Sequence, residues 1–522
     1  MFGTRVSAFL KLSKRDLKYD FPASIVVFLV ALPLCLGIAM ASGAPLFAGV
    51  LTGVIGGLVV ASISNSQLSV SGPAAGLTVI VLGAINQLGA YETFLLAVVI
   101  AGIIQLVLGI VKAGMIGNYF PSAVILGMLA AIGITIIMKQ IPLAFGMNEP
   151  HAFEVENGGG IAAFTDTLLG SVSWGATIIC FLSLAVLIFW PSIKGLNKVP
   201  APLVVVLLGV GLGLAFQNTS MALMPAHFVS IPVVSSFQEF TGLFIFPDFT
   251  QIGNKEVWIV AFTIAIIASL ETLLSIEAVD KLDPFKRVTP TNRELVAQGV
   301  GNMTSGFLGG LPMTSVIVRS SANVNAGGRT RQSAMLHGIW LLVALLAIPV
   351  LINLIPLACL AAILLHTGYK LAKPALFKQM FRKGLDQFIP FTITVIAIVF
   401  TDLLMGVGVG IVVATFYILR ANMQNAYKFS IVGEQQEKAV LVLAEEVSFL
   451  NKVPIQQKLY SLPKSVNTVL IDGQYSKFID KDVIEVIRDF EQNALSKGLS
   501  IELHDVSYKK HSVKNKTLQK VV

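Results

Sequence analysis

The stretch GGLPMTSVIVRSSANVNAGG, residues 309–328, decides how this chain folds. It puts a proline, flanking glycines, small hydroxyl side chains and Arg319 into a chain that is 55% hydrophobic and only 13% charged. Irregular backbone and a cation are costly at membrane depth unless they line a cavity inside the protein. The stretch therefore predicts a broken membrane segment that is kept for a functional reason.

The composition predicts a polytopic α-helical membrane protein, because so few charges could not cover the apolar surface of a soluble chain of 522 residues. A helix needs about 20 apolar residues to cross a bilayer. On this basis the sequence predicts fourteen spans, near residues 21–42, 46–63, 70–88, 92–111, 121–138, 169–189, 200–215, 257–279, 294–308, 314–325, 336–353, 354–369, 386–401 and 403–420.

The distribution of basic residues indicates how the spans are oriented. With both termini in the cytoplasm, nearly all loop lysines and arginines lie on the inner side, and the outer side holds only Lys139 and Lys255. This asymmetry follows the positive-inside rule. We therefore expect a multi-pass protein of the cytoplasmic (inner) membrane, with residues 1–20 as a cytoplasmic lead-in. The net charge of +8 is explained by the basic residues of the cytoplasmic loops, and it does not indicate nucleic-acid binding.

Two interrupted segments occupy matching positions in the predicted series of spans. SVSGPAAGLTVIV, residues 69–81, opens the third span, and LPMTSVIVRSS, residues 311–321, opens the tenth. Because each half contains seven spans, the halves, near residues 21–215 and 257–420, are inverted relative to one another. Discontinuous segments in corresponding positions of inverted repeats point to the binding site of a transporter.

A helix that begins at mid-membrane leaves its first N–H groups without partners in the helix and carries about half a positive charge there. The ends at residues 74–76 and 314–316 are predicted to face each other and to bind an anion through backbone donors. Arg319 would add positive potential. The alternative is that both segments are ordinary helices kinked at Pro73 and Pro312, with Arg319 snorkelling or paired with a carboxylate.

The eighth span, in SLETLLSIEAVDKL, carries a carboxylate near its centre. Glu271 and Ser275 are four residues apart and share one face of the helix. A proton or a sodium ion could neutralise Glu271, so these residues are predicted to hold a coupling cation. Sodium at Glu271 is the only metal ion that the sequence suggests. A static ion pair between Glu271 and Arg319 is the alternative.

The chain changes character after about residue 420. Residues 421–437 are predicted to be a linker, residues 438–507 a small cytoplasmic α/β domain, and residues 508–522 a basic tail. We find no phosphate-binding loop, zinc-binding spacing or nucleophile elbow in the sequence. Neither an enzymatic activity nor a cofactor is therefore predicted.

The motifs VSGPAAGLTVIV, SLETLLSIEAVDKL and NRELVAQGVGNMTSGFLGGLPMTSVIVRSSANVNAGGRT together resemble those of the sulfate permease (SulP) family of anion transporters. The resemblance extends over nearly the whole chain. It implies a fold of seven-plus-seven inverted spans in a core and a gate domain, like that of uracil transporters. It also implies elevator-like movement of the core, a C-terminal STAS domain and a homodimer.

Carried over by motif, the anion site of the family falls on Ala74, Ala75, Ser315, Val316 and Ile317, to which the half-helix argument adds Thr314 and Arg319. The coupling ion falls on Glu271, with Ser275 beside it. Bicarbonate transporters of cyanobacteria in this family have Asp and Thr there and bind sodium, so Glu and Ser make a proton more plausible. Leu34 stands where the family usually has Gln, which argues against an amide contact to the anion.

The sequence thus predicts a secondary active transporter of a small inorganic anion of the sulfate and bicarbonate class, working by proton- or sodium-coupled symport. SGPAAGLT resembles the motif of a subgroup of the family that is associated with carbonic anhydrases, and this resemblance favours bicarbonate over sulfate. The alternatives are a dicarboxylate carrier of the same family, an uncoupled exchanger or channel, and a nucleobase carrier of the same fold.

Overall fold

The computed structural model describes residues 14–114, 121–147, 172–193, 199–233, 236–401, 403–424, 426–432, 437–463, 465–495 and 498–507. Most of the predicted lead-in and the whole basic tail lie outside the described residues. The chain forms two compact units, Met1–Arg382 with Phe391–Val409, and Lys383–Pro390 with Gly410–Val522.

The first half of the membrane region contains seven segments on the seven predicted spans. They are α1 (Lys14–Ala41), α2 (Leu46–Ile63), the strand β1 (Ser71–Pro73) followed by α3 (Ala75–Leu88), α4 (Tyr91–Ile110), α5 (Ser122–Ala144), α6 (Trp174–Phe189) and α7 (Ala201–Phe216). A short helix, α8 (Phe237–Gly242), precedes the second half. The third segment is extended first and helical afterwards, as its proline and glycines predict.

The second half repeats this pattern. Its elements are α9 (Lys255–Leu282), α10 (Thr291–Leu308), the strand β2 (Met313–Ser315) followed by α11 (Ile317–Asn325), α12 (Gln332–Ala347), α13 (Pro349–Ile352), α14 (Leu357–Leu371), α15 (Pro374–Arg382), α16 (Leu385–Phe400) and α17 (Leu403–Gln424). The predicted eleventh span differs, because it is divided between α12 and α13 where Pro349 cannot donate a helical hydrogen bond. The predicted polytopic helical fold of two seven-segment halves is confirmed.

Close backbone contact joins α2 to α12. A Cβ on Gly57 would lie 2.6 Å from the Cα of Gly338, and a Cβ on Gly338 would lie 2.9 Å from the Cα of Gly57. Helices in membranes associate through small residues that let their backbones approach, since lipid gives no hydrophobic drive between them. Helices α2 and α12 can therefore approach this closely only with glycine at both positions.

We expect Gly338→Leu to lower the thermal unfolding midpoint of the purified protein in detergent. The added side chain meets backbone atoms that cannot yield, and overpacking of this kind costs about 1–3 kcal/mol. Gly211→Leu in α7 is the matched control, because a Cβ there meets no atom within 4 Å. Equal midpoints for Gly338→Leu and the wild type would show that α2 and α12 do not cross at these glycines.

The second unit contains an α/β region after α17. Its four-stranded sheet has the order β3 (Tyr427–Val432), β4 (Lys438–Leu443), β6 (Thr468–Asp472) and β8 (Ser500–His504). A short pair consists of β5 (Glu446–Val447) and β7 (Phe478–Ile479), and the helices are α18 (Lys452–Tyr460) and α19 (Lys481–Leu495). Strands β4, β6 and β8 run parallel, so the α/β organisation predicted for this region is confirmed.

The predicted linker, residues 421–437, differs from the structure because residues 427–432 form the strand β3. This strand pairs antiparallel along the whole of β4. Its side chains alternate between half-buried and exposed, as an edge strand with one solvated face requires. Pairing with β3 satisfies the N–H and C=O groups of β4 that would otherwise form an open sheet edge.

Candidate functional site

The strands β1 and β2 meet where the two interrupted segments turn into helices. Gly72 lies opposite Thr314 and Ser71 lies opposite Ser315 in an antiparallel register. The pairing gives partners to backbone groups that a broken span would otherwise leave bare within the membrane. Because the strands are antiparallel, each runs into its half-helix from the opposite direction, as the inverted halves predict.

Both half-helices begin without a capping side chain. Ala74 before α3 and Val316 before α11 have extended backbones and make no side-chain cap hydrogen bond. The first N–H groups of each helix, such as those of Gly76 and Ile317, therefore have no acceptor within their own helix. The two helix starts carry partial positive charge next to the strand pair.

The residues predicted to bind the anion differ in accessibility. Ala75 and Val316 are half-buried, and Ile317 is 38% exposed. The remaining four, Ala74, Thr314, Ser315 and Arg319, are buried. Ala75, Val316 and Ile317 are therefore the members of this set with accessible surface. That these residues bind an anion stays a prediction.

The hydroxyl groups of β2 are engaged within the protein. The Thr314 hydroxyl donates to the Ser315 carbonyl at 3.1 Å, and the Ser315 hydroxyl lies 2.5 Å from that of Ser69. The Ser315 N–H donates to the Thr272 hydroxyl of α9 at 3.3 Å. These contacts hold β2 in place and occupy both of its hydroxyl groups. Candidate donors for a ligand therefore include the backbone N–H groups of the helix starts.

Helix α9 brings Glu271 to the start of α3. A Cβ on Gly76 would lie 2.6 Å from Oε2 and 2.7 Å from Oε1 of Glu271, and the Gly76 N–H faces this carboxylate. Oε2 is buried and has no hydrogen-bond partner among the described residues. Ser275, one turn further along α9, is also buried. The carboxylate thus occupies the positive end of α3, where the sequence predicts the anion.

The alternative of a static ion pair between Arg319 and Glu271 does not hold, because no salt bridge joins these two residues in the described part of the chain. Arg319 is fully buried, and its Nη2 donates to the Pro73 carbonyl at 3.3 Å. Cys35 of α1 and His337 of α12 lie beside the guanidinium group. Long side chains in helices point back over the preceding turn, which directs Arg319 toward β1 and away from α9.

Leu34, which stands where the family usually has Gln, packs among apolar side chains. It is buried in a hydrophobic cluster with Cys359 and Ile363 of α14. The position where the family usually has Gln therefore faces a packed helix contact in this chain, and it offers no amide to a ligand.

Helix α10 carries a row of buried polar side chains to which the sequence interpretation assigned no role. Glu294, Gln298, Asn302 and Ser305 are spaced by four, four and three residues, so they lie on one face of the helix. All four are fully buried. Gln298 donates to the Ser71 hydroxyl at 2.7 Å and to Glu294 at 2.9 Å. This face of α10 supports β1.

The same row supports β2. The Asn302 amide accepts a hydrogen bond from the Met313 N–H at 2.7 Å and donates one to the Met313 carbonyl at 3.2 Å. It thus makes the two backbone hydrogen bonds that a neighbouring strand would otherwise make. It also donates to Gln105 of α4 at 2.6 Å, and the Ser305 hydroxyl donates to the Leu311 carbonyl at 2.6 Å. A polar residue at every turn of an otherwise apolar span is the signal in NRELVAQGVGNMTSG that would have revealed this role.

Asn302→Ala is expected to lower both the thermal midpoint and the anion uptake of the protein. The change strands the Met313 N–H and carbonyl, and an unsatisfied buried group costs about 1–3 kcal/mol. Thr304→Ala is the matched control, since the one partner of the Thr304 hydroxyl among the described residues is the Val300 carbonyl of its own helix. Uptake and midpoint unchanged in Asn302→Ala would mean that α10 does not hold β2.

The chain is similar in sequence to known anion-transporter proteins along most of its length. Residues 17–397 match the Sulfate permease family. YvdB of Bacillus subtilis is 29% identical over 430 residues, which cover 82% of this chain and 78% of that protein. The bicarbonate transporter BicA of Picosynechococcus sp. is 26% identical over 455 residues, covering 84% of this chain and 76% of BicA.

Solved structures agree with the fold. The transmembrane domain of a cyanobacterium bicarbonate transporter BicA matches with a TM-score of 0.65 and 25% identity, covering 76% of this chain and 99% of that one. The structure of SLC26A9 matches with a TM-score of 0.74 and 15% identity, covering 95% of this chain and 85% of that one. The family match covers 381 of the 522 residues, well over half of the chain, and it includes both paired half-helices, so the chain belongs to the sulfate permease family.

Proposed function

We propose that this chain is a secondary active transporter that moves a small inorganic anion of the sulfate and bicarbonate class together with a proton or a sodium ion. The observation that carries the proposal is the pair of helix starts held together by β1 and β2, with Glu271 at one of them. The family's description names sulfate, and BicA is named as a bicarbonate transporter. That the relatives are named as transporters agrees with the absence of a predicted enzymatic activity.

In this proposal the anion binds between the two helix starts. Backbone N–H groups at a helix N-terminus are suited to anions, and the small side chain of Ala75 lets a ligand approach the backbone. The guanidinium group of Arg319, which is held at β1 by its hydrogen bond to the Pro73 carbonyl, adds positive potential at the site. Because these donors are dipoles and one remote charge, the anion can be released again on the other side of the membrane.

Glu271 supplies the coupling. A negative carboxylate at Gly76 competes with the anion for the same positive helix end, and two unit charges 4 Å apart repel by about 4 kcal/mol at an effective dielectric constant of 20. A proton or a sodium ion on Glu271 removes that repulsion. Cation and anion then each raise the affinity for the other, since such coupling is reciprocal. Movement of the loaded core past the gate in an elevator-like step completes symport.

We further propose the setting of the transporter. Residues 21–420 form the transport domain of a multi-pass protein in the cytoplasmic membrane, and both termini lie in the cytoplasm. The basic residues of the loops support this orientation. The α/β region is a STAS-like domain, and the protein works as a homodimer, as the family resemblance implies.

Uptake of labelled sulfate or bicarbonate into proteoliposomes tests the proposal. We expect accumulation against a gradient of the anion when an inward proton or sodium gradient is imposed, and none when both are collapsed. Equal flux in both conditions would favour an uncoupled exchanger or channel. Competition by fumarate would indicate a dicarboxylate carrier, and competition by uracil would indicate a nucleobase carrier.

A further inference from the structure

We propose that the junction between α17 and the α/β region is a binding site for the headgroup of an anionic phospholipid. The junction surface is defined by Arg420 and Met423 of α17, Tyr427 of β3, and Phe449, Val453 and Pro454 at the start of α18. All of these residues belong to the second unit. The inference does not depend on which anion is transported.

The end of α17 fixes the depth of the junction surface. Residues Met405–Met423 are long and apolar enough to cross a bilayer, so the last turn of α17 lies where a span leaves the hydrocarbon region. The Asn451 side chain donates to the Asn422 carbonyl in that last turn at 2.9 Å. This bond fastens the segment between Phe449 and Val453 at the level of the lipid headgroups.

Two large apolar side chains are exposed at this level. Phe449 is 62% exposed and Val453 is 50% exposed, and Asn451 between them is buried. Aromatic and aliphatic side chains at headgroup depth insert into the boundary between headgroups and acyl chains. A lipid surface is therefore the partner that covers Phe449 and Val453 without any further protein contact.

A cation and a cavity lie beside the apolar pair. A cavity of about 430 Å³ is lined by Arg420, Met423, Tyr427 and Pro454. Arg420 is exposed and takes part in no salt bridge among the described residues, whereas Lys452 is paired with Asp482 at 3.8 Å. A guanidinium group matches the geometry of a phosphate. Arg420 is thus placed to bind the phosphate of a lipid whose acyl chains contact Phe449 and Val453.

The source of the phosphate follows from the apolar pair. Free phosphate in solution would use Arg420 but would leave Phe449 and Val453 exposed to water. A lipid satisfies both, because its headgroup is charged and its acyl chains are apolar.

The test uses the full-length protein in liposomes of phosphatidylcholine with or without phosphatidylglycerol. Val453→Cys is labelled with an environment-sensitive fluorophore, and quenching by lipids with a nitroxide close to the headgroup is measured. The native cysteines, Cys35, Cys180 and Cys359, are buried and do not compete for the label. Ser500→Cys is the control, because Ser500 starts β8 at the end of the sheet opposite Tyr427.

We expect strong quenching at position 453, weak quenching at position 500, and stronger quenching at 453 when phosphatidylglycerol is present. Arg420→Gln should remove the effect of phosphatidylglycerol and leave the quenching in phosphatidylcholine. Equal quenching at 453 and 500 would overturn the proposal. So would loss of the phosphatidylglycerol effect on addition of inorganic phosphate, or cross-linking of Val453→Cys between two copies of the chain in place of lipid quenching.

Discussion

Replacing Glu271 by glutamine is expected to lower concentrative anion uptake strongly while anion exchange across the membrane continues. Glutamine is nearly the same size as the glutamate that it replaces beside Gly76, but it carries no charge for a proton or a sodium ion to neutralise. The start of α3 then binds the anion whether or not a cation is present, so the cation gradient no longer drives anion accumulation. We expect gradient-driven accumulation to fall by about tenfold or more, which corresponds to about 1.4 kcal/mol.

The measurement compares gradient-driven uptake with counterflow from preloaded proteoliposomes. Glu277→Gln is the matched control on the same helix, because Glu277 is exposed and paired with Lys281 at 2.6 Å. It should leave both activities unchanged. Full accumulation by Glu271→Gln would remove Glu271 from the coupling mechanism, and loss of counterflow as well as uptake would assign it to anion binding instead.

Gly76→Ala is expected to strengthen the coupling cation's binding to Glu271, with little effect on the amount of folded protein. The new methyl group would lie 2.6–2.8 Å from the carboxylate atoms of Glu271, closer than van der Waals contact allows. The carboxylate must therefore move away from the start of α3. A carboxylate that has lost the Gly76 N–H and the positive helix end binds a cation more tightly. We therefore expect the cation concentration for half-maximal uptake to fall by about tenfold, equivalent to about 1.4 kcal/mol of binding free energy.

Gly83→Ala separates this effect from a general change in α3. Gly83 lies in the same helix, and a Cβ there meets no atom within 4 Å. Its cation dependence should match that of the wild type. If Gly76→Ala also matched the wild type, the close approach between α3 and Glu271 would have no part in transport.

Much of the fold could be predicted because its signals are local. Apolar runs identify spans, and Pro73, Pro312 and the neighbouring glycines identify the two places where a span is interrupted. The position of Glu271 at mid-span also follows from its apolar flanks. These features depend on residues that are close together in the chain.

Contacts between distant segments could not be read in this way. The sequence places Arg319 and Glu271 within membrane segments, and it leaves an ion pair between them open as an alternative. Their partners depend on how the helices are arranged, and the structure gives Arg319 the Pro73 carbonyl and Glu271 the start of α3. The support of β2 by Asn302 depends in the same way on the packing of α10 against both strands.

The strand β3 shows a third limit. Tyr427–Val432 alternates in burial as a strand should, but it is short and follows directly after a membrane helix. Only its pairing with β4 distinguishes it from a linker.

The central claim, that an anion binds between the starts of α3 and α11, is tested most directly by substrate protection. Ala75→Cys and Val316→Cys are each modified with a water-soluble methanethiosulfonate in proteoliposomes, with and without saturating sulfate or bicarbonate. Gln217→Cys, exposed at the end of α7, is the control. We predict that the transported anion slows modification at positions 75 and 316 and leaves position 217 unaffected. Unchanged rates at 75 and 316, under conditions in which the anion saturates uptake, would contradict the claim.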